Sequence, residues 1–215
     1  MISIIIPILN LQNERLRNFN FVLSKIKDLG IPIIICEQIL YENGGMSIDC
    51  EDITHYKINI PDKNIHKSKL INFAVDQCST EYFWVIDADF FIDYQKVLAQ
   101  VDFKHKVYKP FSTCYYLHDY YTEQLISGKN FILPTDLQIM KFFGPLSFIY
   151  EKNAFLSIGG LNEEFKGWGY EDIELAYRTF HAYEIKEINL IGMHLFHPPT
   201  RNQRDENNKL FKKLI

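Results

Sequence analysis

The chain has 215 residues, of which 47% are hydrophobic and 23% charged; this suits one globular domain with a substantial core and excludes a wholly disordered chain. Lys plus Arg number 23 against 27 Asp plus Glu, a formal net charge of −4, which lacks the basic bias of a dedicated nucleic-acid binder. No apolar run reaches the roughly 20 residues that cross a bilayer, and Ile2 to Ile8 has neither the basic flank nor the small-residue cleavage site of a signal peptide.

The opening Ile2-Ser3-Ile4-Ile5-Ile6 is β-branched and almost continuously apolar, the pattern of a strand covered on both faces, and Pro7 is expected to end it. Leu16, Phe19, Val22, Leu23 and Ile26 recur at helical spacing before Gly30, and Ile31 to Cys36 is a second strand. Strand, helix, strand implies a right-handed crossover and a parallel sheet. Ile53 to Ile58 predicts a third strand, Lys67 to Cys78 a helix, Tyr82 to Ile86 a fourth strand and Tyr94 to Val101 a helix. Tyr115 to Phe143 has no clean period and reads as irregular, with a mobile loop at Ser127 to Asn130. Further on, Leu146 to Tyr150 predicts a strand, Lys152 to Ile158 a helix stopped by Gly159-Gly160, and Glu171 to His181 another helix. Ile185 to Ile191 and Met193 to Phe196 read as late strands, and Asn202 to Ile215 as a polar helix or tail. The expected class is α/β, with a mixed, mainly parallel sheet flanked by helices, in one domain spanning 1–215 of a size that also suits a module of a longer chain. Cys36, Cys50, Cys78 and Cys114 form no C-x-x-C pair, so reduced thiols and a cytoplasmic setting are expected.

Three groups of residues carry chemistry. Asp87-Ala88-Asp89 leaves the carboxyl end of a buried strand, the edge where ligands gather in open α/β sheets. Two carboxylates two residues apart on that turn can approach one Mg²⁺ or Mn²⁺ with its phosphate ligand; an Asp-rich solvated turn is the bland alternative. The run from Gly159 to Asp172 surrounds Trp168 with glycines and ends in Glu171-Asp172 at a helix start. Glycines let a ligand approach the backbone, and a Trp between them offers a flat face to a sugar ring; a helix stop followed by an acidic helix N-terminus explains the same residues without a ligand. In Met193-His194-Leu195-Phe196-His197-Pro198-Pro199, a His leaving a late strand can complete a metal site begun at Asp89. Strand alternation would put the two His on opposite faces.

Taken together these residues resemble the nucleotide-sugar glycosyltransferases of the GT-A fold, which is Rossmann-like: glycosyltransferase family 2 and the β-1,4-galactosyltransferase and bacterial chondroitin-polymerase type. The resemblance rests on Ile4 to Asn10, Ile34 to Gln38, His66 to Asn72, Asp87-Ala88-Asp89 and the Gly-Trp-Gly-x-Glu-Asp block at Gly167 to Asp172. Leu9 departs from it, since galactosyltransferases carry an Arg there. The resemblance implies nucleotide-sugar contacts from Pro7, Ile8, Asn10, Glu37, Lys67, Asp87, Gly167 and Trp168. It implies Mn²⁺ or Mg²⁺ on Asp89 and His197 with Asp87 in the metal shell, His194 remaining the alternative ligand. Asp172 is implied as the general base, and Glu171 as the residue holding sugar or acceptor.

The implied reaction is inverting transfer from a nucleoside-diphosphate sugar, UDP-linked by resemblance, to a hydroxyl of a glycan acceptor. The alternative is a non-catalytic nucleotide-sugar-binding or docking module of a larger glycan-synthesising protein. A phosphotransferase is disfavoured, because no P-loop is present. Lys209, Lys212 and Lys213 read as a solvated face, with peripheral contact to the inner face of a membrane as the rival reading.

Overall fold

A computed structural model describes every residue except 10, 42, 43, 49, 51, 130, 136, 140–146 and 199–202. The chain opens with β1 (Ile2–Leu9), α1 (Asn13–Ile26), β2 (Ile33–Ile39), β3 (Ile53–Asn59), α2 (Lys67–Gln77) and β4 (Tyr82–Val85). Its middle holds β5 (Phe90–Phe91), α3 (Tyr94–Leu98), β6 (Val107–Lys109), β7 (Thr113–Tyr116) and α4 (Asp119–Ile126). The last part holds β8 (Ile149–Glu151), α5 (Lys152–Ser157), α6 (Glu171–Ala182), β9 (Ile185–Glu187), β10 (Ile191–His194) and α7 (Arg204–Leu214).

Seven strands form the main sheet in the order β3-β2-β1-β4-β8-β6-β9. Pairings β3-β2, β2-β1 and β1-β4 are parallel, and β8 runs antiparallel to both β4 and β6. The chain steps outward from β1 to β2 and β3, then returns to place β4 on the other side of β1. That reversal is a topological switch point, where a crevice opens at the carboxyl ends of the strands. The isoleucine run explains why β1 is central. Ile2, Ile4, Ile6 and Ile8 join one apolar cluster with Phe19, Val22 and Ile26 of α1, while Ile5 joins a second with Leu70, Ile71, Ala74 and Val75 of α2. Each such side chain, once fully buried, contributes about 1.5–3 kcal/mol, so period-2 alternation locks β1 between two helical layers. A second sheet, β5-β10-β7, stands beyond the end of β4.

Several expectations are corrected. Pro7 does not end the first strand; it pairs with Cys36 inside β1. Ile4 N–H donates toward β2, to the Pro32 carbonyl, whereas the Ile5 carbonyl accepts from Ile86 on the β4 side. Residue 7 therefore turns its missing N–H toward β4, whose pairing with β1 has already stopped at Val85. The region read as irregular from residue 115 contains the end of β7 and all of α4, with Ser127 and Gly128 closing α4. Asn130 and residues 140–146, which include part of that region and the first residue of the strand read at 146–150, lie outside the described residues. The strand read over Ile185 to Ile191 splits into β9 and β10, which belong to different sheets. The C-terminal segment is helical, and Lys212 and Lys213 occupy its last turn, where cations suit the helix dipole without any membrane. No helix among the described residues is long and apolar enough to cross a membrane, and all four cysteines are free.

Candidate active site

The crevice at the carboxyl edge of β1 and β4 gathers two sets of side chains. The first is Asp89, His194 and His197, whose donor atoms all lie within 4.8 Å of one another. Asp89 sits in the turn after β4. Antiparallel pairing sets His194 opposite Phe90, and the Leu195 N–H donates to the Asp89 carbonyl at 2.8 Å. His194 Nε2 is 3.6 Å and His197 Nε2 3.0 Å from the Asp89 carboxylate, with Arg15 at 3.8 Å. Strand alternation does not separate the two His, because β10 ends at His194 and the chain turns. Asn18 Nδ2 and Arg17 donate to the Phe196 carbonyl at 2.9 and 3.3 Å, and the Phe196 N–H donates to Thr122 Oγ1 at 2.9 Å. Asn18 and Thr122 are fully buried, so this grip holds the residue preceding His197 from both sides. His197 Nδ1 lies 2.8 Å from the Pro198 carbonyl; protonated on both ring nitrogens, the imidazole donates from Nε2 to Asp89, and loss of the Nε2 proton frees that lone pair for an ion.

Burial alone would raise the Asp89 carboxyl, but His194, His197 and Arg15 hold it well below the ordinary range. Burial would likewise lower His197, but its hydrogen bond and charge partner Asp89 raise it. A buried carboxylate facing two imidazoles is the donor set of a divalent transition ion. Two nitrogens and one oxygen suit Mn²⁺ better than Mg²⁺, which prefers an all-oxygen shell.

The second set surrounds Lys67, the first residue of α2. Its Nζ lies 2.5 Å from Asp87 Oδ1 and also feels Glu171 and Asp172. Burial opposes its charge, yet these three carboxyl groups keep the ammonium protonated, with its pKa raised. Glu171 and Asp172 open α6, where the dipole should favour their negative charge. Burial wins instead. Glu171 is pushed up to about 8, Asp172 adding to the effect and Lys67 opposing it; Asp172 is raised too, chiefly by burial. Asp172 is the more exposed of the two, and its Oδ1 accepts from the Ile173 N–H at 2.8 Å. Tyr116 spans both sets: burial first, then Cys114, Asp172, Asp89 and Asp87 raise its phenol.

The approach to α6 is a run of left-handed residues, Gly167 (φ +70°), Gly169 (φ +90°) and Tyr170 (φ +74°). Glycine takes this conformation freely, whereas an aromatic residue there costs on the order of 1 kcal/mol. The strained Tyr170 begins α6 and aims Glu171 and Asp172 at Lys67. Trp168 is 42% exposed between the two glycines.

The remaining sequence-based candidates are placed as follows. Pro7 and Ile8 are the last two residues of β1 before Leu9, and both side chains are buried. Asn10 lies outside the described residues. The buried Glu37 carboxylate accepts from the Met46 N–H at 2.9 and 3.1 Å and stands 3.1 Å from His55 Nε2. Asp87 is engaged with Lys67 and is not among the three clustered metal donors. Sequence reasoning passed over Asn18, Thr122 and Tyr116, and reached Gln38 only as part of the Ile34 to Gln38 strand of the resemblance. Gln38 Nε2 donates to the Asp62 and Asn64 carbonyls at 2.8 and 3.0 Å, and its Oε1 accepts from the His66 N–H at 2.8 Å, shaping the turn that delivers Lys67. The one available signal was a polar residue inside an apolar strand. A groove of about 580 Å³ beside Phe91, Tyr94, Leu190 and Met193 contains none of these site residues.

The family model described as the N-terminal domain of galactosyltransferase matches residues 133–196, under a third of the chain. Comparison with curated proteins by sequence finds no match. In structure the chain is similar to the catalytic domain of Drosophila β1,4-galactosyltransferase 7 in complex with xylobiose, at TM-score 0.54 and 14% identity, covering 96% of this chain and 79% of that one. It is similar to residues 1–349 of S. aureus TarS at TM-score 0.60 and 12% identity, covering 98% of this chain and 64% of that one. A third likeness is to glucosyl-3-phosphoglycerate synthase from Mycobacterium tuberculosis in complex with Mn²⁺, UDP-glucose and phosphoglyceric acid, at TM-score 0.53 and 17% identity, covering 99% of this chain and 76% of that one. The fold they share is the GT-A fold.

Proposed function

We propose that this chain, a glycosyltransferase of the GT-A fold, is a Mn²⁺-dependent inverting enzyme that moves a sugar from a UDP-linked donor to a hydroxyl of a glycan acceptor. The observation that carries the reading is the convergence of Asp89, His194 and His197 with Lys67 and its partners Asp87, Glu171 and Asp172 on one sheet edge. Support for the donor comes from two structural neighbours, TarS solved with UDP-GlcNAc and the mycobacterial synthase solved with Mn²⁺ and UDP-glucose.

Asp89, His194 and His197 would hold the ion, which when bound supplies positive charge to the leaving diphosphate. Lys67 adds a fixed ammonium at the same edge, placed there before reaction by Gln38 and by its carboxyl partners. Asp172 takes the acceptor hydroxyl proton while the acceptor oxygen bonds to C1 and the C1–phosphate bond breaks. A carboxylate raised by burial is a better base than a solvated one, and Glu171, neutral below about pH 8, sits beside it without a competing charge. Trp168 presents its exposed ring to the apolar face of the sugar. Pro7, Ile8 and Gly167 offer main-chain groups at the donor edge, while Glu37 supports it from within β2. A cytoplasmic setting at the inner face of a membrane fits an acceptor that is a growing surface glycan.

The test is thermal stabilisation by UDP, GDP, dTDP, CMP and their sugars, each with Mn²⁺, Mg²⁺ or EDTA. A ligand held only by the folded state at 100 times its Kd stabilises by about 2.7 kcal/mol. The expected result is a shift with UDP compounds and Mn²⁺ that EDTA abolishes, with release of UDP when glycan is added and inversion at C1 by NMR. No shift with any nucleotide would overturn the donor site. A shift without UDP release would leave the binding-module reading in its place.

A further inference from the structure

The C-terminal helix α7 meets the Trp168 loop through side chains on one face. Its fully buried residue is Asn207, 4% exposed, with Leu210 and Phe211 half-buried beside it. Asn207 Nδ2 donates to the Lys166 carbonyl at 2.8 Å and the Gly169 carbonyl at 2.9 Å, with the Trp168 carbonyl at 3.4 Å. Its Oδ1 accepts from the Lys166 N–H at 3.4 Å. One side chain thus grips the backbone on both sides of Gly167-Trp168. Residues 204, 207 and 211 share one helix face, and the outer two also reach this loop. The Arg204 guanidinium lies 5.0 Å from the Trp168 ring centroid, and Phe211 packs on Tyr170 at 5.6 Å. Among the described residues, the backbone from Lys166 to Gly169 is held by the Gly167 N–H donating to the Ile65 carbonyl and by Asn207.

We infer that Asn207 is a positioning residue that fixes the Trp168 ring for sugar recognition, and that α7 is the element that carries it. The inference rests on the reading that Trp168 faces the donor sugar. A donor amide shared by two or three part-buried carbonyls is a fixed latch, because losing it removes the partner that ties both sides of the loop to one point. Among the described residues the Trp168 ring meets Arg204, and its orientation follows the backbone that Asn207 holds.

The experiment measures UDP and UDP-sugar affinity with Mn²⁺ in the full chain, together with tryptic cleavage after the exposed Lys166. Variants are Asn207→Ala, Asn207→Asp, Trp168→Ala and the double variant Asn207→Ala/Trp168→Ala. Asn207→Asp is isosteric and keeps the helix while removing the donor. Both Asn207 variants should weaken UDP-sugar binding about 10-fold, the scale of one aromatic contact, and leave UDP within about twofold. Cleavage at Lys166 should speed up in both. The double variant should bind UDP-sugar no worse than Trp168→Ala, because the latch acts through the ring. Additive losses, equal losses of UDP and UDP-sugar, or unchanged binding and cleavage in Asn207→Asp would overturn the proposal. If the unaltered chain binds UDP and UDP-sugar equally well, the sugar-facing reading of Trp168 fails and takes the sugar role of Asn207 with it; cleavage at Lys166 then separates that failure from a failure of the latch itself.

Discussion

The sheet elements of the molecule are held together by apolar side chains, whereas the loops that carry His197 and Trp168 are held by polar side chains gripping their backbone. In the sheet, Ile4, Ile6, Phe19, Val22 and Trp84 are fully buried around β1 and β4, and Phe148, Ile149 and Phe155 around β8. At the loops, Asn18 of α1 and Thr122 of α4 fix Phe196, and Asn207 of α7 fixes the Trp168 loop. The difference follows from what each must do. A sheet satisfies its own backbone and needs only covering. Loops that carry ligating and stacking groups leave N–H and C=O groups unpaired, and buried side-chain amides and hydroxyls must satisfy them. The two site loops therefore depend on individual hydrogen bonds in a way that the sheet strands do not.

Substitutions at the shared edge can break or sharpen this contrast. The largest effect belongs to Asp172→Asn, which should cut transfer by about 10²–10⁴-fold, the usual share of a general base, with UDP binding unchanged. Steady-state transfer beside UDP titration checks it, and near-normal turnover would reassign the base. Next comes Asp89→Ala. Since residues merely supporting a metal ligand cost 10–100-fold, losing the ligand itself should weaken Mn²⁺-dependent UDP binding by about 100-fold. Calorimetry with and without EDTA reports it, and retained Mn²⁺ dependence would dissolve the triad. Thr122→Val is a smaller, more discriminating change. It removes the hydroxyl that holds Phe196, and a buried hydrogen bond contributes about 1 kcal/mol, so Mn²⁺ affinity should fall roughly fivefold while the apolar sheet keeps its melting behaviour.

A further effect falls on stability rather than on binding or transfer, as a pH slope. The folded Glu171 carboxyl sits at about 8, above the ordinary 4.5, so the folded state binds more protons than the unfolded state between those values. Stability of the ligand-free protein therefore falls as pH rises through that window and levels off above it. Glu171→Gln removes the titrating group and should flatten the melting temperature between pH 5 and pH 8. An unchanged slope would locate the titration elsewhere.

Legibility in the sequence follows the same division. The apolar runs at Ile2, Ile33 and Tyr82 and the helical spacing from Leu16 to Ile26 mark β1, β2, β4 and α1 because burial on a regular element repeats with that element's period. Asp87, Asp89, Trp168, Glu171 and Asp172 stand out for the same local reason, being polar or glycine-flanked at the ends of such runs. Pro7 misled as a terminator because its tolerance depends on where β4 stops, a fact about a strand far along the chain. β5 and β6 were missed because two or three residues carry no period, and α4 because its aromatic residues hide its face.

The sequence by itself determined a parallel α/β sheet, the edge to which its acidic turn is delivered, and the acidic start of α6, all of which arise from near-neighbour patterns. Only the tertiary structure decided that both His194 and His197 reach Asp89, that Asp87 is paired with Lys67, and that α7 grips the Trp168 loop. Asn18 and Phe196 are 178 residues apart, and Asn207 stands 41 residues from Lys166. A single amide at such a distance leaves no periodic trace in the chain, because its energy comes from one backbone carbonyl that folding alone places before it.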